Sequence, residues 1–233
     1  MTLIIGIVLT AVFYMVSANA IKKHPGLFYT GIYVWCGMVV FYFNMGYDKN
    51  FPEWFSEYFM NIFARGIFST ATFMVVMFLG TITKHNKLSR KLMSVRGEIS
   101  IIGSLIVLSH NVIFGVTYFT MLFTNPKAMT TRQIIASIIT LCLLAMLVPL
   151  FITSFKFVRR KMKGKTWKNV QRLAYPFFIG IYVHIMVLYS ADVKAHLSGI
   201  IIYTLIYGSY IVLRLRKVAL KARKSRIATE QAV

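Results

Sequence analysis

The sequence predicts an all-α polytopic membrane protein, a helical bundle of about seven spans with its N-terminus outside and its C-terminus in the cytoplasm. Composition, the recurrence of long apolar stretches and the placement of charge predict it. Of the 233 residues 58% are hydrophobic, and the mean hydropathy of +0.67 lies beyond what a soluble domain with one core carries. Apolar stretches recur along the whole chain, and at about 1.5 Å of rise per residue each can cross a hydrocarbon layer roughly 30 Å thick. The expected spans are 2–20, 26–46, 57–82, 99–122, 133–155, 172–190 and 198–214.

The first stretch lacks a basic leader and a small-residue cleavage site, so it reads as a retained helix. A net charge of +21 would point to nucleic acid in a soluble protein. Here its distribution excludes that reading. Segments 21–25, 83–98 and 156–172, with the tail from Arg214, hold 22 of the 27 Lys and Arg residues. The alternate loops hold Lys49, Lys127, Arg132 and Lys194. That asymmetry is the positive-inside signature and sets the expected orientation in a bacterial cytoplasmic membrane. The basic rim is expected to face anionic lipid.

The connections are short, and residues 1–233 read as a single integral membrane domain with a basic tail, 215–233, that lies along the membrane surface or is disordered. Glycines are scattered through the spans without a phosphate-binding fingerprint, so nucleotide chemistry would have to come from another chain. Two cysteines, Cys36 and Cys142, cannot build a disulfide framework or an iron–sulfur site and read as packing residues. The six acidic residues fall in loops, at span ends or in the tail, and none forms an intramembrane carboxylate pair for proton-driven transport or hydrolysis.

Two histidines lie deep inside spans. His110 falls about 16 Å and His184 about 18 Å from the cytoplasmic start of the fourth and sixth spans. An imidazole at that level has no water and needs a dedicated partner. A haem iron between the two would satisfy both; an interhelical hydrogen bond at each is the plainer alternative. Gly103, two turns before His110, and Gly180, one turn before His184, leave each histidine face bare enough for a macrocycle to approach. His24, His85 and His196 fall in loops and read as solvated.

Two further groups carry polar chemistry. Arg65 sits inside the third span near the level of the histidines, where a haem propionate would pair with it; snorkelling outward or toward Glu57 is the alternative. Arg96, Trp167, Gln171 and Arg172 gather at the cytoplasmic edge, where they read as interfacial anchors or as a quinone or flavin site.

The stretches "RGEISIIGSLIVLSHNVIFG" and "TWKNVQRLAYPFFIGIYVHIMVLY" resemble the ferric-reductase-like transmembrane family. Within it they are similar to small bacterial haem-b subunits such as the membrane subunit of the periplasmic methionine sulfoxide reductase system. The resemblance runs from about Ser89 to Tyr189 and implies a ferric-reductase-like core over about 57–214. It also implies a haem b held by His110 and His184. Where many members place a second histidine nearer the cytoplasm on each helix, this chain has Gly97 and Gln171. Neither is an imidazole, so one haem is expected.

The expected function is a single-haem b-type cytochrome, the electron-transfer subunit of an oxidoreductase. Its donor would be a quinol or a flavoprotein, and its acceptor a redox partner subunit or domain on the outer face. The rivals are a haem-free helical transporter or assembly subunit, and a stand-alone ferric or quinone reductase.

Overall fold

A computed structural model describes residues 2–230. The chain is a bundle of α-helices, and no strand occurs among the described residues. The helices are α1 (Thr2–Lys23), α2 (Pro25–Asn44), α3 (Glu53–Phe55), α4 (Asn61–Ala64), α5 (Ile67–Leu79), α6 (Lys87–Ser94), α7 (Arg96–His110), α8 (Val116–Thr124), α9 (Thr131–Ser154), α10 (Lys156–Lys161), α11 (Gly164–Gln171), α12 (Ala174–Tyr189) and α13 (Val193–Glu230). A π-helical turn, Ser56–Met60, joins α3 to α4, and another, Asn111–Gly115, joins α7 to α8. Among the described residues six runs are long and apolar enough to cross a membrane, and α5 is a shorter apolar one, so this is a multi-pass membrane protein.

Local sequence explains most boundaries. α1 and α2 are separated by His24 alone, because Pro25 at the first helical position needs no partner for its missing N–H. α9 opens on a capping box in which the Thr130 hydroxyl accepts from the Gln133 N–H and the Gln133 side chain accepts from the Thr130 N–H. The sixth span is preceded by the amphipathic α11, and the chain breaks at Arg172–Leu173. Pro176 explains the break: its ring excludes a normal helical carbonyl at Arg172, four residues back.

The expected third span, 57–82, is not one helix. It stops at Arg65 and restarts at Ile67, with Gly66 between them at φ 72°, the left-handed region that glycine enters without strain. Of the two expectations for the tail, disorder does not hold over the described residues. α13 runs unbroken from Val193 to Glu230, and its 38 residues, about 57 Å, outreach the hydrocarbon layer. The basic segment therefore continues the last span as a helix.

Two cores meet on α5. One packs Tyr14, Ile21, Phe68, Val76, Ile99, Ile102 and Ile106 between α1, α2, α5 and α7. The other packs Phe73, Met77, Leu147, Phe178, Tyr207 and Tyr210 between α5, α9, α12 and α13. α5 is buried on nearly every side, which fits its uniformly apolar sequence and makes it the central pillar. Cys36 packs in the first core as expected, whereas Cys142 is exposed on the bundle surface. At the basic end, Lys156 lies 2.5 Å from the buried Glu98 carboxylate and ties α10 to α7.

Candidate functional site

The site is built by the break in the third span. The last carbonyls of a helix have no intrahelical N–H, and Ala64 is the last residue of α4. Its carbonyl oxygen lies 2.7 Å from Nδ1 of His110 on α7. A carbonyl only accepts, so Nδ1 carries the proton and Nε2 is left with a lone pair. Gly66, at φ 72°, lies beside the His110 ring, which a Cβ there would meet at an ordinary contact distance of 3.5 Å.

His184 is tied in the same sense. Its Nδ1 lies 3.3 Å from Oγ1 of Thr140 on α9, and that hydroxyl donates to the Ala136 carbonyl at 2.8 Å. With the hydroxyl proton committed to Ala136, Thr140 is the acceptor and His184 Nδ1 the donor. Nε2 of His184 is again left as a lone-pair nitrogen.

Both histidines line one cavity of about 690 Å³ between α5, α7, α9 and α12. That volume is in the range of cofactor pockets, roughly 300–1,000 Å³. Its walls are mainly apolar, with Phe73, Leu143, Phe177 and Ile181. Arg65, Gln133, His196 and Tyr189 supply polar groups where α9 and α13 begin, at the end away from the basic loops. Arg65 makes no ion pair with Glu57 among the described residues. Asn111, beside His110 in the cavity wall, has a buried Oδ1 without a hydrogen-bond partner among the described residues.

Each residue singled out in the sequence can now be located. His110, His184 and Arg65 come together on the cavity. Gly103 and Gly180 do not: a Cβ at Gly103 would stand 2.8 Å from Thr72, and one at Gly180 would stand 2.8 Å from Leu143. They serve close packing of α7 on α5 and of α12 on α9, and the glycines that line the cavity are Gly66, Gly115 and Gly199. His196 is exposed, yet it also stacks on Tyr189 at 4.6 Å with the rings 7° apart, so it is part of the cavity wall and not merely a solvated side chain.

Arg96, Trp167, Gln171 and Arg172 do not form one constellation. Trp167 Nε1 donates to the Thr153 carbonyl at 3.1 Å and Gln171 Nε2 to Thr153 Oγ1 at 3.0 Å, which pins α11 to the end of α9. Arg172 donates to Asn169 Oδ1 at 3.3 Å on the surface. Arg96 points elsewhere, with Nε 3.0 Å from the Val76 carbonyl of α5.

Sequence reasoning missed Ala64, Gly66 and Thr140. An arginine followed by glycine inside an apolar run was the available signal for the first two. Thr140 carried none, since it is one of several hydroxyl residues on α9.

No family model matches the chain, and no solved structure matches it. The chain is 33% identical over 227 residues to an uncharacterized protein of Treponema pallidum (strain Nichols), a likeness covering 94% of this chain. The chain spans 62% of the length of that relative.

Proposed function

We propose that the chain is a b-type cytochrome membrane subunit that holds one haem b between His110 and His184, as its resemblance to the ferric-reductase-like family implies. The observation that carries this reading is the pair of imidazoles on one cavity, each with Nδ1 engaged as a donor and Nε2 left as a ligand nitrogen. Histidines that bind metal are held this way, with the distal N–H fixed by a carbonyl or another acceptor. Haem bound there would supply reversible one-electron transfer.

The protein's own residues have separate tasks. The Ala64 carbonyl and the Thr140 hydroxyl hold the ring tautomers and orientations. Phe73, Leu143, Phe177 and Ile181 exclude water and keep the local dielectric low. Arg65 supplies a cation toward which a carboxylate side arm would turn. At the two positions where a second pair of ligands would stand, the space is taken by the end of α9: a Cβ on Gly97 would lie 3.3 Å from the Ser154 carbonyl, and Gln171 bonds Thr153. This supports a single haem.

Electrons would pass between a quinol or flavoprotein donor and an extracytoplasmic acceptor subunit. The N-terminus would lie outside, in a bacterial cytoplasmic membrane, as the charge asymmetry favours. Purified protein made with ample haem supply is expected to show a Soret band and a reduced α-band. His110→Ala and His184→Ala abolish or severely weaken both, while His24→Ala and His85→Ala leave them intact. A colourless wild-type preparation, or six-coordinate spectra in both ligand variants, overturns the reading.

A further inference from the structure

The basic end of the bundle holds three cations around the C-terminus of α5. Lys217 Nζ on α13 donates to the Gly80 and Ile82 carbonyls, each at 2.9 Å. Arg96, already bonded to the Val76 carbonyl, lies alongside the same glycine, its Nη2 3.5 Å from where a Gly80 Cβ would stand. Arg214, one turn before Lys217, sits over the Tyr175 ring with Cζ 4.8 Å from its centroid. Arg96, Arg214 and Lys217 interact electrostatically with one another.

The protein offers this cluster little negative charge. The nearest carboxylate in sequence, Glu98, is engaged by Lys156. Asp48, Glu53, Glu57 and Asp192 belong to the opposite end, and Glu230 lies at the end of α13. The α5 C-terminus contributes about half a negative charge through its dipole, against three positive ones. Helix capping thus accounts for where Lys217 points and leaves most of the positive charge uncompensated.

The cluster stands where membrane-crossing helices end, beside the interfacial aromatic Tyr175 and the exposed Val212, Leu213 and Val218 of α13. An anion that suits this place carries a phosphate at headgroup level and acyl chains that lie on apolar helix surface. We propose that Arg96, Arg214 and Lys217 form a binding site for the phosphate of an anionic phospholipid.

Thermal unfolding of the purified full chain tests this with added phosphatidylglycerol, phosphatidylcholine or inorganic phosphate. Phosphatidylglycerol is expected to raise the midpoint by several degrees and the other two to leave it in place. The double variant Arg214→Gln/Lys217→Gln loses most of that rise, whereas Lys165→Gln/Lys168→Gln on α11 keeps it. Capping alone would separate wild type from the first variant by the same amount in either lipid, and that result overturns the proposal. A full response to inorganic phosphate overturns the lipid assignment. If the double variant does not fold, phosphatidylglycerol retained by wild type and by Arg214→Gln is compared by native mass spectrometry. Equal retention also overturns the proposal.

Discussion

Nδ1 of His110 meets the carbonyl oxygen of Ala64 at 2.7 Å, across 46 residues of sequence, because α4 ends at Ala64 and releases that carbonyl. A helix break inside a membrane span leaves backbone groups that must find partners within the protein. The imidazole is that partner, and the same bond decides which of its nitrogens keeps a lone pair.

Gly66→Ala tests the break. At φ 72° the added Cβ strains the backbone, while its 3.5 Å approach to His110 is an ordinary contact. The variant is expected to lose about 1 kcal/mol or more of stability in denaturant unfolding. Under the proposed function it also loses haem more readily than wild type. An unchanged unfolding midpoint rejects the strained-turn account.

Thr140→Val removes the hydroxyl that accepts from His184 beside the Ala136 carbonyl, while keeping the shape of the side chain. The expected loss is roughly 10–100-fold in haem affinity, typical when a ligand's supporting hydrogen bond is deleted. Thr140→Ser restores most of it. Haem titration of the apoprotein reads both, and equal affinities in wild type and Thr140→Val reject the role.

One haem per chain is expected from the pyridine haemochrome assay. The end of α9 fills the space beside Gly97 and Gln171, so Gln171→His leaves the stoichiometry at one. A wild-type value near two per chain contradicts the packing argument.

Lys156→Met is expected to destabilise the fold more than Glu98→Gln. The first leaves a carboxylate whose side chain is 5% exposed without its cation, and the second replaces the charge with a neutral group. Loss of a partner from a fully buried pair costs about 3–5 kcal/mol. Lys156 is 49% exposed, so solvent screening places the effect below that range. Unfolding at one pH and salt concentration ranks the two variants, and the reverse order refutes the assignment.

The spans were legible because partition into lipid is set by local, nearly additive apolar burial, and six of the seven expected stretches are long helices. His110, His184 and Arg65 stood out for a related reason: a polar side chain within an apolar run is conspicuous without any tertiary information. The roles of Gly103 and Gly180 were misread because a bare helix face looks the same whether it receives a ligand or a neighbouring side chain. Thr72 and Leu143 fill those faces. That the tail is helical was not legible, because basic composition alone does not report that α13 continues through it to Glu230.

By itself, then, the sequence determined a multi-pass helical protein with two deep histidines and an arginine near their level, since burial cost and helical rise depend on residues close together in the chain. Tertiary structure alone decided that these three share a cavity and that the third span breaks beside His110. It also decided that Ala64 and Thr140 take the Nδ1 protons. Those outcomes depend on which helices meet, and hydrogen bonds across 46 and 44 residues leave no periodic trace in the sequence.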